Sequence, residues 1–157
     1  MEPHQLRVGV ISDTHGLLRA QAVAALGGCD LIVHAGDVGS PEILDGLRAV
    51  APTFAIRGNV DRGAWAEALP VTAVVEAGPH RLYVLHILED LDLVPEVAGF
   101  SAVVSGHSHQ PRAETRRGVL YLNPGSAGPR RFRLPVTVAR LRVTENGLQH
   151  EIVELAV

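Results

Sequence analysis

The sequence has no lysine, one cysteine and few aromatic residues, and each shortage excludes a class of function. All 14 basic residues are arginines, which excludes Schiff-base chemistry, a lysine general base and the lysine-dependent P-loop. The single Cys29 cannot form an intrachain disulfide or a thiolate metal cluster. A net charge of −3, with one tryptophan, two tyrosines and three phenylalanines, does not favour a nucleic-acid partner.

Long apolar runs are also absent. No stretch approaches the ~18 consecutive apolar residues of a membrane-spanning helix, and residues 1–4 lack the charged-then-apolar order of a signal peptide. We therefore predict a cytoplasmic protein with no membrane partner. With 157 residues, of which 46% are hydrophobic, the chain is predicted to form a single domain over residues 1–157.

Short β-branched runs alternate with stretches of helical periodicity, which predicts an α/β domain. The predicted strands of the first part are Leu6–Ser12, Asp30–His34, Thr53–Arg57, Val71–Glu76, Arg81–Leu85 and Ser101–Ser105. The predicted helices are Ala20–Leu26, Pro41–Val50 with Ser40 as N-cap, and Leu91–Val97. Four further strands follow, at Arg112–Thr115, Val119–Leu122, Val136–Val143 and His150–Leu155.

Five of these strands are followed by side chains that can bind a metal ion. Ligands of open α/β sheets bind in a crevice at the carboxyl ends of the strands, so these side chains are predicted to converge. The donors are Asp13, His15, Asp37, Asn59, His86, His107 and His109.

Seven oxygen and nitrogen donors without sulfur exceed the needs of one tetrahedral zinc ion. They suit two cations that share a bridging carboxylate and keep open positions for water and substrate. Two cations about 3.5–4 Å apart can clamp the attacking and leaving oxygens of a phosphoryl displacement. The sequence therefore indicates hydrolysis of a phosphate ester, at a site that the cations make locally positive.

Five motifs occur in order along the chain: Asp13-Thr14-His15, Gly36-Asp37, Gly58-Asn59-Val60-Asp61, His86 and Gly106-His107-Ser108-His109. This ordered set resembles the calcineurin-like metallophosphoesterase superfamily. The later Asn123-Pro124-Gly125-Ser126 is similar to its small prokaryotic phosphodiesterase branch, so the resemblance spans residues 8–126. It implies a four-layer α/β/β/α sandwich of two mixed sheets flanked by helices.

The resemblance also implies a role for each donor. Asp13, His15, Asp37 and His109 would hold one cation, and Asp37 would bridge to a second cation held by Asn59, His86 and His107. The cations would be manganese, with nickel, iron or zinc as alternatives. A hydroxide bridging them would attack a small phosphodiester or phosphomonoester. Asp37 and Asn59 would act in catalysis, with Asn59 also touching a phosphate oxygen.

Three departures from the family pattern bear on function. Val60 and Asp61 follow Asn59, where many members have a histidine that acts as general acid or orients the substrate. Ile87 follows His86 in place of glycine, and a β-branched residue resists the positive φ that glycine permits. The chain also has no long insertion that could cover the site, so an open site is predicted.

Further residues are predicted near the site. His34 is interpreted as a partner that supports the ligands or as a structural residue. Asp61 is interpreted either as a carboxylate that orients a ligating histidine or water, or as a solvent-exposed turn residue. The segment Asn123–Ser126 is either a proline–glycine turn or packs beside the site. Surface solvation is predicted for Arg57, Arg62, Arg130, Arg131 and Arg133, with a phosphate contact as the alternative.

Competing functions stay open at this point. Val60 and Ile87 favour a scaffold that keeps the fold without catalysis, as in the retromer subunit that this branch resembles, whereas the complete donor set favours an enzyme. A nucleic-acid phosphodiesterase is not favoured by the charge and the aromatic content. The sequence leaves the oligomeric state open, a homodimer included.

Overall fold

Ten strands and four short helices make up residues 5–157, the part of the chain that the computed structural model describes. The prediction about a signal peptide concerns residues 1–4, which lie outside the described residues. The strands are β1 (Leu6–Ile11), β2 (Leu31–His34), β3 (Thr53–Ala55), β4 (Thr72–Ala77), β5 (His80–Leu85), β6 (Ala102–Val104), β7 (Arg112–Arg116), β8 (Val119–Asn123), β9 (Thr137–Thr144) and β10 (Gly147–Glu154). The helices are α1 (Ala20–Ala25), α2 (Pro41–Arg48), α3 (Ala64–Glu67) and α4 (Pro95–Ala98), and a 3-10 helix spans Leu88–Asp90.

The strands form two mixed sheets of five strands each. The first has the order β10-β9-β1-β2-β3, and the second has the order β4-β5-β6-β8-β7. In the first sheet β1 runs parallel to β2 and antiparallel to β9. In the second sheet β6 runs parallel to both β5 and β8. Every residue of β2 and β6 is buried, as expected for parallel strands covered on both faces.

Three apolar clusters define the layers. One fills the space between the two sheets and includes Val8 of β1 and Val104 of β6. Another covers the outer face of the first sheet, where Ile32 lies in the same cluster as Leu47 of α2. The third surrounds Tyr83 on the outer face of the second sheet. The predicted α/β/β/α sandwich is confirmed, although the layer over the second sheet is thin.

Only the last part of the predicted helix Leu91–Val97 is helical. The chain forms the 3-10 helix before this segment, and α4 begins only at Pro95. Proline fits the first turn of a helix because it lacks the N–H that interior positions need. Val94 before it is extended, with φ −102° and ψ 101°, as the proline ring favours. The four-residue α3 was not predicted, because so short a helix shows no periodicity.

Other element ends differ by a few residues. Ser40 occupies the N-cap position of α2, as predicted, but its side chain makes no capping hydrogen bond. Pro41 occupies the first turn instead. β10 begins at Gly147 rather than at His150, because Gly147 already pairs with Thr144. None of the described helices is long and apolar enough to cross a membrane.

Candidate metal centre

The loops that follow β1, β2, β3, β5 and β6 bring the seven predicted donors together. One group consists of Asp13, His15 and His109, and another consists of Asp37, His86 and His107; the ligand atoms within each group lie within 4.8 Å of one another. The side-chain oxygen of Asn59 lies 3.2 Å from Nδ1 of His107. Asn59 therefore belongs beside the second group.

The two groups share a boundary formed by two carboxylate oxygens. Oδ2 of Asp37 lies 3.1 Å from Nε2 of His86 and 3.8 Å from Nε2 of His15. Oδ1 of Asp13 lies 3.4 Å from Nε2 of His109 and 3.8 Å from Nε2 of His86. Each carboxylate thus reaches histidines of both groups, so the geometry allows either to bridge.

Each aspartate has one oxygen fixed by hydrogen bonds and the other directed at the histidines. Oδ2 of Asp13 accepts hydrogen bonds from the Ser12 hydroxyl (2.7 Å) and from the backbone N–H of His107 (3.0 Å). Oδ1 of Asp37 accepts one from the backbone N–H of Val60 (3.1 Å). These bonds orient both carboxylates before any ligand binds.

Buried polar atoms without partners show that this donor set fits a cation. Among the described residues, Oδ1 of Asp13, Nε2 of His86 and Nδ1 of His109 are buried and make no hydrogen bond. Nε2 of His86 lies near Asp37, but without the alignment of a hydrogen bond. A buried polar atom left unpaired costs about 1–3 kcal/mol. Cations bound at the two groups would satisfy Oδ1 of Asp13 in the first group and Nε2 of His86 in the second.

The ring of His86 is oriented as a metal ligand requires. Nδ1 of His86 donates a hydrogen bond to the carbonyl oxygen of Ala35, at 2.7 Å. In the neutral ring the proton therefore lies on Nδ1, and Nε2 keeps its lone pair. A ligating histidine usually has this arrangement, in which a backbone carbonyl fixes the tautomer.

The charges of the centre favour a cation. Burial raises the pKa of Asp13 and Asp37, but the adjacent rings of His109 and His86, respectively, bring each pKa below its ordinary value. Burial lowers the pKa of His86, but the Asp37 carboxylate and the Ala35 carbonyl raise it above its ordinary value. Without a cation, His86 thus attracts a proton, which a bound metal must displace.

Five of the seven donors have a left-handed backbone. Their φ angles are 55° for Asp13, 46° for His15, 55° for Asp37, 72° for His107 and 64° for His109. Positive φ is uncommon for residues other than glycine, and each such residue costs roughly 1–3 kcal/mol. Only Arg117 and Phe132 share this feature among the other non-glycine residues that the structure describes. Backbone strain is therefore concentrated at the donors, as at many functional sites.

Two glycines allow the loops to approach the aspartates. A Cβ on Gly58 would overlap the backbone of Asp37, and a Cβ on Gly106 would overlap the hydroxyl of Ser12 and lie 2.7 Å from Oδ2 of Asp13. Larger residues would push the loops apart. The glycines that precede Asn59 and His107 are thus required by close packing.

Asp61 ties together two of the loops that carry donors. Its side chain is 7% exposed. Oδ2 accepts hydrogen bonds from the backbone N–H groups of Val38 (3.1 Å) and Gly58 (2.9 Å), and Oδ1 accepts one from that of Gly39 (2.9 Å). The interpretation of Asp61 as an exposed turn residue is wrong. Its hydrogen bonds instead connect the loop after β2 to the loop after β3.

His34 is fully buried behind the loops after β1 and β2. Its Nδ1 accepts a hydrogen bond from the backbone N–H of Gly36 (3.1 Å), so Nε2 carries the proton of the neutral ring and donates to the Thr14 hydroxyl (2.9 Å). That hydroxyl donates to the carbonyl of Val38 (2.8 Å). Burial lowers the pKa of His34 to about 4. His34 therefore braces the two loops as a neutral ring.

Two serines and an asparagine support the centre from behind. The Ser126 hydroxyl donates to the backbone carbonyl of Asp13 (3.0 Å), and the Asn123 amide donates to that of Gly106 (3.0 Å). Of the two interpretations of this segment, the structure supports the one that places it beside the site. The role of Ser12 was not predicted, although a hydroxyl that ends an apolar strand just before Asp13 was the available indication.

The two departures near the second group leave its geometry intact. Ile87 has φ −108° and ψ 114°, which is extended backbone, so no glycine is needed after His86. Val60 is 48% exposed and orients Asp37 through its N–H. Neither substitution moves a donor away.

Two clefts flank the centre. One, of about 550 Å³, is bordered by Asn59 and His86, and Arg57 and Arg62 line it as well. The other, of about 390 Å³, is bordered by His107. Asn59 and His107 are both exposed, so the centre is open to solvent on the side of the second group.

Comparison with known proteins gives matches over nearly the whole chain. A model of the calcineurin-like phosphoesterase superfamily domain matches residues 6–146. A curated relative from Methanothermobacter thermautotrophicus, described as a probable metallophosphoesterase, is 34% identical over 158 aligned positions, which cover 93% of this chain and 91% of the relative.

Solved structures share the fold. The structure of a novel archaeal phosphodiesterase aligns with a TM-score of 0.80 at 21% identity, over 96% of this chain and 100% of the other. Vps29 from Chaetomium thermophilum aligns with a TM-score of 0.75 at 20% identity, over 94% of this chain and 97% of the other. At these identities the likeness concerns the fold alone.

Proposed function

The chain belongs to the calcineurin-like phosphoesterase superfamily, and we propose that it hydrolyses a phosphodiester or phosphomonoester with two divalent cations bound at the two donor groups. The observation that carries the proposal is the pair of buried, unpartnered atoms that face each other across the groups, Oδ1 of Asp13 and Nε2 of His86. Manganese is the proposed ion, with nickel, iron and zinc as alternatives. The proposed substrate is a small phosphate ester.

Four of the seven donors have a specific task in this proposal. Cations bound here would lower the pKa of a water molecule and polarise the phosphoryl oxygens. Asp13 and Asp37 each present one oriented oxygen, with Asp37 as the proposed bridge, and His86 presents the lone pair of Nε2. Asn59 turns its oxygen towards His107, which leaves its amide N–H groups to donate to a phosphate oxygen.

Protonation of the leaving group falls to water in this proposal. Val60 occupies the position where a histidine would serve as general acid, and its aliphatic side chain has no proton to give. The open side of the centre, where Asn59 and His107 are exposed, admits that water.

The test is turnover of an aryl phosphodiester and an aryl phosphomonoester by purified, manganese-loaded protein. We expect hydrolysis by the wild type and none by Asp37→Asn, because the substitution removes the anionic oxygen that faces both groups. Asp45→Asn is the matched control, since Asp45 is exposed on α2 and should leave the rate unchanged. Equal rates in wild type and Asp37→Asn would refute the proposal.

A second candidate is a scaffold that binds metal without turnover. It is motivated by Val60 and by the similarity of the fold to Vps29. Two bound ions without hydrolysis of any ester in a broad panel would favour it. We further propose that the protein acts in the cytoplasm.

The oligomeric state is a separate question. Size-exclusion chromatography with light scattering would distinguish a monomer from a homodimer.

A further inference from the structure

The cleft of about 550 Å³ opens directly beside the second donor group. His86 and Asn59 border both the cleft and the group. A phosphate held at the donors would therefore place one of its ester substituents in this space. The volume is within the roughly 300–1,000 Å³ range of small-molecule sites, so it accepts a group the size of an aromatic ring.

Apolar side chains of β5 and its continuation form part of the inner surface of the cleft. Tyr83 and Leu85 of β5 are 8% and 3% exposed, and Ile87 continues the same wall with a half-buried side chain. Val71, 57% exposed, lies at the edge. The extended backbone of Ile87 keeps its side chain in line with β5, so this residue enlarges the apolar surface next to His86.

Charged residues of both signs line the cleft. Arg57 and Arg62 contribute two positive charges, and Asp61, Asp90 and Asp92 contribute three negative charges. Three backbone N–H groups engage the carboxylate of Asp61. Because the two signs are mixed, the rim offers no patch of one sign to a charged substituent, whereas the apolar side chains favour burial of an uncharged one.

We propose that this cleft binds the uncharged, apolar ester substituent of the substrate, and that Ile87 sets a preference for bulky over small substituents. The inference rests on the proposed function, because it places the phosphate at the donor groups. It narrows the substrate class to phosphate esters of an aryl or bulky aliphatic alcohol.

Binding of two phosphonates, whose P–C bond is not hydrolysed, tests this assignment. Phenylphosphonate and methylphosphonate share the anionic head and differ only in the apolar group. By titration calorimetry with manganese-loaded protein, we expect phenylphosphonate to bind wild type at least about tenfold more tightly. Ile87→Ala should reduce that ratio several-fold, and Ile87→Leu should retain it.

The matched control is Val97→Ala, since Val97 is 83% exposed and does not line the cleft; its ratio should equal that of wild type. The assignment is overturned if wild type and Ile87→Ala have the same ratio of affinities for the two phosphonates, or if wild type binds both phosphonates equally well. The outcomes are separable from those of the proposed function. If the protein hydrolyses esters but does not prefer phenylphosphonate, only the cleft assignment is refuted. If it prefers phenylphosphonate but hydrolyses no ester, only the proposed hydrolytic activity is refuted.

Discussion

The two donor groups lie side by side, but they are supported in different ways. The first group is largely buried, and the hydroxyls of Ser12 and Ser126 fix Asp13 at its carboxylate and its backbone. The second group is open, with Asn59 exposed, and Asp61 holds its loops through backbone N–H groups. In the proposed function, this difference suits the first group to retaining an ion and the second group to contacting the substrate.

The largest expected effect comes from exchanging the two aspartates separately. Asp37→Asn should remove both cations if Asp37 bridges, because Oδ2 of Asp37 reaches histidines of both groups. Asp13→Asn should remove only the first cation. In each case the affinity for the lost cation should fall by more than about 100-fold, which is the upper range for loss of a residue that only hydrogen-bonds to a ligand.

Metal content of the dialysed variants, measured by mass spectrometry, checks this expectation. The reverse pattern, with both ions lost only in Asp13→Asn, would assign the bridge to Asp13. That outcome would also show that the buried first group and the exposed second group do not differ in the way proposed above.

A smaller effect is expected from Asp61→Asn, which keeps the shape of the side chain but weakens its bonds to Val38, Gly39 and Gly58. Because these bonds hold the loops of the second group, the second cation should bind about 10–100-fold more weakly while the first is unaffected. Calorimetric titration of manganese measures both affinities, with Asp45→Asn as the exposed control. Equal weakening of both ions would show that the two groups are not supported independently.

The last effect concerns the stability of the fold rather than metal binding, and it comes from His34, which braces loops of both groups. Its folded pKa is about 4, against 6.5 for the free side chain. Between these values the unfolded chain takes up a proton that the folded chain refuses, so the stability contribution is present above pH 6.5 and is lost as the pH falls towards 4. The free energy of unfolding should fall by about 2 kcal/mol between pH 7 and pH 5 from this residue.

Urea unfolding in the presence of a chelator, at both pH values, measures that difference. His34→Gln should lose this part of the pH dependence, whereas His150→Gln, which alters an exposed histidine, should keep it. If the free energy of unfolding depends on pH in the same way in wild type and His34→Gln, the conclusion that His34 is buried as a neutral ring is wrong.

The positions of the seven donors could be predicted because each follows an apolar strand. A strand such as β1 is recognisable from its run of buried residues, and its carboxyl end fixes where Asp13 emerges. The pairing of strands into two sheets was implied by the resemblance rather than by the pattern of apolar residues. The periodicity of apolar residues indicates where a strand or helix lies, but it does not indicate which strands pair with one another.

The support of the site could not be predicted in the same way. Asp61 acts on backbone N–H groups such as that of Val38, more than twenty positions away, and no side-chain pattern records such a bond. The left-handed backbone at His107 and His109 depends on packing of whole loops. The helix expected at Leu91–Val97 starts only at Pro95 for a local reason, the rigid ring of that proline, which apolar spacing alone did not reveal.

The pairing of β1 with β9 has a consequence for synthesis on the ribosome. The strands of the second sheet all lie between residues 72 and 123, whereas the first sheet joins Leu6 to Val143. Chains emerge from the amino end, and contacts between distant segments form slowly. The sheet that presents His86 can therefore assemble on the nascent chain, whereas the sheet that presents Asp13 is completed only when β9 emerges. In the proposed function, cations would then bind after most of the fold has formed.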